Sequence, residues 1–366
     1  MADRTVASDA GSIPEAAQAA RTGGRIDVLD GWRALSILLV LAGHWLPMPR
    51  ILQANYAAAA AGMALFFGLS GFLITRLLLR DPQPAPFFVR RIFRIVPLAW
   101  LAMTVLVIAD GAGLGEAAAN FLFYSNLPPA QLMHGGEHLW SLCVEVQFYV
   151  IAALLVLAFG ARGVWIFPLL MIGVTAARIG AGETLSIVTW HRVDEILAGA
   201  TVALLLAWRE ARGSRFTVPG WTCLVSLGLL FTASHPSTGP LQYLRPYFAA
   251  ATLGLSILAV PTWLHGWLTG RIARYIAGVS YAVYVIHGML TVTPLGGEEA
   301  SKTVRYLLRI PLVACTFALA HLSTFHFEKH FIALGKRLAR RISREIHPHR
   351  DPAKGELDRK TARKTY

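Results

Sequence analysis

Residues 57–79 read AAAAAGMALFFGLSGFLITRLLL, a run in which Arg76 is the one charge. A helix of that length rises far enough to cross the roughly 30 Å hydrocarbon core of a bilayer. In water so much apolar surface would drive aggregation, whereas lipid accepts it and demands that the backbone satisfy itself as helix. Comparable segments lie near 34–48, 95–110, 139–160, 163–180, 194–208, 217–233, 246–262, 273–293 and 305–325. They predict an all-α fold, a polytopic membrane helix bundle of about ten transmembrane helices. Several segments fall short of the roughly 20 residues that span a bilayer and must tilt or borrow flanking residues. The sixth and seventh are the weakest. Residues 117–127 (AAANFLFYSNL) are only half-length and read as an interfacial or re-entrant piece.

Composition agrees. Of 366 residues, 55% are hydrophobic and only 15% charged, with mean hydropathy +0.51. Soluble domains carry about 25% charged residues. The net charge of +13 comes from Lys and Arg placed between apolar segments and after the last one. Zinc-finger spacing and aromatic–basic interleaving are missing, so no nucleic-acid partner is expected. Cys143, Cys223 and Cys315 each sit in an apolar run and read as small buried hydrophobes. Residues 1–24 are mixed and Ala/Gly-rich, unlike a signal peptide, and the first apolar run reads as a retained helix.

Charge also orients the chain. With the amino end inside, 27 of the 34 Lys and Arg fall on the cytoplasmic side. That is the sense of the positive-inside rule, and it puts both termini in the cytoplasm. The expected organisation is a flexible amino terminus (1–24), a membrane domain (25–335) and a basic tail (336–366). The tail begins helical, lies on the anionic inner leaflet, then loses its apolar residues.

Ionisable residues inside spans are costly and face the bundle interior. Four clusters qualify. In DGWRALSILLVLAGHWLP, Arg33 and His44 are eleven residues apart, so they share a helix face about 16 Å apart along the axis. His44 suits a proton acceptor, a metal ligand or a satisfied interhelical hydrogen bond; without a nearby His or Cys at ligand spacing, metal is the weakest reading. In FFVRRIFRIVP, Arg91 and Arg94 share a face at the cytoplasmic mouth, where they suit phosphates or serve as ordinary anchors. GGEHLWSLCVEVQFYV brings together Glu137, His138, Ser141 and Glu145, with His138 and Glu145 on one face. A carboxylate so deep needs a partner. SYAVYVIHGML aligns Ser280, Tyr284 and His287 as a hydrogen-bonding stripe. Asp194 and Glu195, beside His191 and Arg192, are explained by local ion pairing.

These pieces together resemble the membrane-bound acyltransferase-3 family, typified by bacterial O-antigen, exopolysaccharide and Nod-factor O-acetyltransferases. The likeness covers roughly residues 25–335. It rests on Arg33 and His44 in RIDVLDGWRALSILLVLAGH and on GMALFFGLSGFLITRLLL, followed by Arg91 and Arg94. It continues through HLWSLCVEVQFYV (His138, Trp140, Ser141, Glu145, Phe148, Tyr149), SYAVYVIHG and the closing FHFEKHF. Many relatives have Pro in place of His330, a departure bearing on a helix exit. The esterase-like domain fused to some relatives is not recognised here, so the membrane domain would act alone.

The resemblance implies a bacterial inner-membrane enzyme that moves an acyl group, commonly acetyl, from cytoplasmic acyl-CoA to a carbohydrate hydroxyl. Acyl-CoA would be a co-substrate; no tightly bound cofactor and no metal are expected. Partners would be membrane lipids and an exopolysaccharide, lipopolysaccharide or lipo-oligosaccharide acceptor. Arg33, Arg91 and Arg94 would grip the CoA phosphates. His44 would act as base, with Glu145, His138 or Ser141 orienting it or holding the acceptor. Glu137, Trp140, Tyr284 and His287 would support the site. Direct transfer is preferred to an acyl-enzyme, because Cys143 does not share the His138–Glu145 face. The rival reading is a secondary transporter or flippase for a glycan or lipid-linked glycan, against which the chain shows no clear inverted repeat.

Overall fold

The computed structural model describes residues 26–46, 52–214, 217–297 and 300–346. The expected flexible amino terminus and the end of the basic tail lie outside these residues. Among the described residues every regular element is helical. The longer ones are α1 (Val28–Trp45), α2 (Ala54–Arg80), α3 (Pro84–Asp110), α4 (Leu114–Phe121), α5 (Trp140–Phe159), α6 (Phe167–Ala181) and α7 (Asp194–Ala211). They continue as α8 (Trp221–Ser234), α9 (Arg245–Leu258), α10 (Thr262–Leu268), α11 (Arg271–Thr291), α12 (Lys302–Leu322) and α13 (Lys329–Ile346).

All ten apolar segments fall on helices, yet the described helices do not all meet the requirements of a span. Four helical stretches are long and apolar enough: Ala54–Arg80, Pro84–Asp110, Glu137–Ala181 and Thr303–Ile346. A fifth appears if Pro236–Leu258 and Thr262–Leu268, bent by 103°, count together. The others have physical reasons for falling short. Helices α8 and α9 have 14 residues each, and α7 opens on Asp194 and Glu195. The half-length piece at 117–127 is α4 and an irregular turn, not a span.

The molecule is apolar outside and charged inside. Ile108, Leu114, Leu157, Leu169, Ile272 and Ile310 are all exposed. Arg178, Asp194, Glu195 and Arg245 are sealed within the bundle. Water would reverse that distribution; a bilayer favours it.

Helices α1, α2 and α7 form the centre. Small residues let them touch: a methyl group at Gly199 would lie 1.8 Å from the Gly68 carbonyl oxygen, and one at Gly71 equally close to that of Ile196. Backbones this near are the membrane packing mode in which small residues at a helix interface let two helices approach closely. Trp32 of α1 donates to Ser256 of α9 at 2.8 Å, locking the first helix across the bundle. Helix α11 lies against α1, and α13 lies along α3, with Gly335 seated on Phe93. Between α12 and α13 the chain passes through a π-helical turn, Ser323–Glu328, without breaking. His330 therefore lies inside a continuing helix, and the boundary expected at 335/336 falls within α13.

Candidate active site

Two cavities of opposite chemistry flank the middle of the bundle. At one end, a vestibule of about 370 Å³ is lined by Arg33, Arg76, Arg80, Arg91 and Arg94, with Asp30 as its one acid. All five arginines come from the facing surfaces of α1, α2 and α3. A short Arg-x-x-Arg spacing puts Arg91 and Arg94 on one side of α3. Arg76 has Glu210 at 3.9 Å, a weak restraint. So many guanidinium groups around one opening suit a polyphosphate, which they can meet bidentately.

Arg33, Arg91 and Arg94 also line a narrow chamber deeper in, together with Glu145, Tyr149, Ser70 and Ser280. Ser70 donates to Glu145 Oε1 at 2.5 Å, and the Tyr149 hydroxyl donates to the same oxygen. Arg91 lies over the Tyr149 ring, 5.9 Å from its centre. The buried carboxylate therefore has its hydrogen bonds and a nearby cationic lining.

The other cavity, about 760 Å³, holds His44, Glu137, His138, Trp140, Arg192, Tyr284 and His287 in its wall. His44 Nδ1 lies 2.9 Å from His287 Nε2, and His287 Nδ1 lies 2.6 Å from the Tyr284 carbonyl oxygen. A carbonyl only accepts, so His287 Nδ1 carries the proton. With both rings neutral, His287 Nε2 is then the acceptor and His44 Nδ1 the donor. The remaining nitrogen of His44, Nε2, keeps its lone pair, on a side chain that is itself exposed. The backbone thus selects, through one intervening imidazole, the tautomer that accepts a proton.

The rest of the wall is tied down around this pair. His138 Nε2 lies 3.1 Å from the Val285 carbonyl oxygen, and its ring is 4.4 Å from that of His287. The Tyr284 hydroxyl donates to the His138 carbonyl oxygen at 2.5 Å and receives Ser141 Oγ at 2.6 Å. Glu137 is exposed at the mouth with His134 beside it at 3.4 Å. Between the two chambers stands an aromatic partition: Phe66, from the narrow chamber, stacks on Tyr284 of the wide one at 5.8 Å.

Several expectations change. His138 and Glu145 do share a face, but seven residues separate them by about 10 Å along the axis. They open into different chambers, and Glu145 keeps company with Arg33 and Arg91. It does not orient His44; His287 does. Ser141 is committed to Tyr284, and Ser280 bonds back to the Ala277 carbonyl, leaving the stripe on α11 divided between the chambers. Asp194 and Glu195 are paired only in part locally. Arg178 of α6 reaches Asp194 at 2.5 Å, Arg245 of α9 reaches Glu195 at 2.8 Å, and only Arg192 at 3.3 Å is a near neighbour in sequence. An acidic pair at a helix start attracts arginines from whichever helices the bundle brings near.

Arg192, Arg76, Arg80 and Phe66 were missed by sequence reading. Arg192 had one visible signal, its place two residues before Asp194 at the start of an apolar segment. Among the described residues no group of three or more His, Cys, Asp or Glu side chains is arranged to hold a metal ion.

Comparison with known proteins adds to this geometry. The chain is 26% identical to the peptidoglycan O-acetyltransferase OatA of Listeria monocytogenes over 81% of its own length and 54% of the relative's. It is 26% identical to nodulation protein 10 of Rhizobium leguminosarum bv. viciae, over 58% of this chain and 76% of that one. It is 30% identical to the exopolysaccharide production protein ExoZ of Rhizobium meliloti, over 52% and 66%. The chain spans about half the length of the peptidoglycan O-acetyltransferase relatives it matches. No solved structure matches it. The family model described as an acyltransferase domain matches residues 26–320, from the start of α1 to near the end of α12, and the chain belongs to the acyltransferase-3 family.

Proposed function

We propose that this chain is an inner-membrane O-acyltransferase that carries an acyl group, acetyl as its ordinary cargo, from cytoplasmic acyl-CoA to a carbohydrate hydroxyl. The observation that carries this reading is the pairing of an arginine vestibule with a histidine chamber along α1, the helix that bears both Arg33 and His44. In it the bundle crosses the membrane ten times with both termini inside, residues 25–335 forming the catalytic domain. The five-arginine opening faces the cytoplasm, in keeping with the excess of Lys and Arg on that side. The basic α13, lying along α3 beside it, rests on the anionic inner leaflet.

Arg91, Arg94 and Arg33 hold the CoA phosphates, and the acyl arm threads past Glu145 and the Phe66–Tyr284 partition to reach the wide chamber. There His44 Nε2 takes the proton of the acceptor hydroxyl as that oxygen attacks the thioester, and later returns it to the leaving thiolate. His287 holds the productive tautomer. The acceptor enters from the mouth by Glu137 and Trp140. The relatives' names point to peptidoglycan and exopolysaccharide as the acceptor class. A flippase would need a passage for the glycan itself, whereas stacked rings stand between these chambers.

The test is surface-glycan acylation, read by mass spectrometry, in a host deleted for the gene and complemented at matched membrane expression. Wild type restores the acyl group and His44→Ala does not, while glycan export continues in both. Full acylation by His44→Ala removes the base assignment. Failed export in the deletion strain with acylation intact makes the chain a transporter.

A further inference from the structure

Three arginines and two carboxylates are buried together where α6, α7 and α9 meet: Arg178 with Asp194, Arg245 and Arg192 with Glu195. All five are at most 2% exposed. Two of the arginines are matched by acids at 2.8 Å or less, so the cluster carries one positive charge more than its acids cancel. That surplus belongs to Arg192, the only member that lines the His44 chamber.

The guanidinium of Arg192 is held by aromatic faces, 5.4 Å from the Trp140 ring centre and 6.0 Å from that of Phe67. Its Nη2 lies 3.3 Å from Glu195 Oε2, an ion-pair contact in which that oxygen gains no hydrogen bond. Its Nε and Nη1 are buried and have no hydrogen-bond partner. Leaving such donors unused costs of order 1–3 kcal/mol, more for a charged group. The backbone before it is braced: Asn126 donates to the Ile187 carbonyl and to Thr189, and Thr189 donates to Gln147. The side chain is thus fixed, charged and unsatisfied in the wall of the chamber that His44 also lines.

Its geometry selects the ligand. Both bidentate forks of a guanidinium include Nη2, and the Glu195 carboxylate stands against that atom at 3.3 Å. What remains are single donors facing different ways, a poor match to a carboxylate and a good match to one oxygen. We infer that Arg192 is a catalytic residue whose free guanidinium N–H binds the thioester carbonyl oxygen and stabilises the oxyanion formed on it. The inference rests on the acyl-transfer reading. In the step, the acceptor oxygen forms a bond to the acyl carbon as its proton passes to His44 Nε2. The carbonyl π pair moves onto oxygen, opposite Arg192. On collapse the C=O re-forms, the C–S bond breaks, and the sulfur takes the proton from His44. Donors fixed in advance at an oxyanion act without reorganisation, and losing one costs about 10²–10³ in kcat.

The experiment uses inner-membrane vesicles from the deleted host, carrying its own glycan acceptor, with radiolabelled acetyl-CoA supplied at the cytoplasmic face. Wild type, Arg192→Ala, Arg192→Lys and His44→Ala are compared at equal protein. Arg192→Ala is expected to lower the rate at saturating acetyl-CoA about 10²–10³-fold with little change in KM. Lysine does not restore it, because its ammonium is not a planar donor held between rings, whereas added methylguanidinium partly does. Structural damage would not respond to methylguanidinium, so absence of rescue together with a lowered Tm overturns the inference. So does a defect abolished by more acetyl-CoA, which is a binding role, or an unchanged rate. If wild type transfers no label at all, the acyl-transfer reading itself falls and takes the inference with it. An active wild type with an active Arg192→Ala sinks the oxyanion role alone.

Discussion

Gly288 makes room for His138: a methyl group on its α-carbon would sit 2.2 Å from His138 Nδ1. The contact couples two motifs 150 residues apart, since Gly288 follows His287 on α11 and His138 precedes α5. Gly288→Ala must push the imidazole aside, and overpacking of this kind costs about 1–3 kcal/mol. His138 would then lose its place beside His287 and the Val285 carbonyl. Acylation per molecule in membranes is expected to fall at least tenfold, while Met289→Ala, one residue on and half-buried, changes it little. Equal activity in the two variants would mean that His138 has no part in the chamber's chemistry.

His287 acts through His44, so its variants should separate by what they offer His44 Nδ1. His287→Gln carries an amide oxygen near the position of the lost Nε2 and can still accept the hydrogen bond; His287→Leu cannot. The glutamine variant is expected to keep within about tenfold of wild type and leucine to lose 10²-fold or more, on the scale of general base catalysis. Both should leave KM for acetyl-CoA alone, since the arginine vestibule is a separate cavity. Equal loss in Gln and Leu would show that packing, not tautomer control, is what His287 supplies.

How much of this was legible beforehand depends on whether a residue's role is local. Arg33, His44, Arg91 and Arg94 could be read because helical periodicity fixes which of them share a face. Glu145 was correctly seen as a buried acid needing partners, but periodicity says nothing about depth, and the two turns between it and His138 put it in another chamber. Arg192 read only as a local ion-pair partner of the acids beside it, because Trp140 and Phe67, the rings it faces, lie far away in sequence. Gly288 could not be weighed at all: a glycine's importance here is the imidazole that fills the space above it. The ten apolar segments do fall on helices, but the short α10 was not foreseen, and apolar length alone did not say which helices stand alone as spans, since α7 and α9 bury polar residues against neighbours.

The vestibule predicts a dependence on the donor's phosphates. Arg91→Ala should raise KM for acetyl-CoA roughly 10–100-fold, about 1.4–2.7 kcal/mol of binding, with the saturated rate nearly intact. Arg91→Lys should recover only part, because a point charge lacks the bidentate fork. Acetyl-pantetheine, which has no nucleotide phosphates, should be used equally poorly by wild type and Arg91→Ala. If the variant's defect persists with acetyl-pantetheine, Arg91 supports the fold or the deeper chamber and does not grip phosphate.

The pair Arg178–Asp194 makes a stability prediction that distinguishes a buried ion pair from the charges that serve the chamber. Both side chains are within 1% of complete burial, and Arg178 also donates to the Glu183 and Thr184 carbonyls. Arg178→Met would leave Asp194 charged and without its cation, keeping only a long hydrogen bond from Thr175 at 3.3 Å, a hydroxyl that in turn accepts from Tyr247. Breaking a buried pair from one side costs about 3–5 kcal/mol, whereas replacing both partners by apolar residues is often neutral. In purified protein, thermal unfolding should therefore drop sharply for Arg178→Met and return towards wild type in Arg178→Met with Asp194→Leu. The double variant should also keep most of its acylation, because neither residue lines the His44 chamber. A double variant as unstable as the single one would mean that Arg178 stabilises the fold through the Glu183 and Thr184 carbonyls it braces after α6, rather than through its charge.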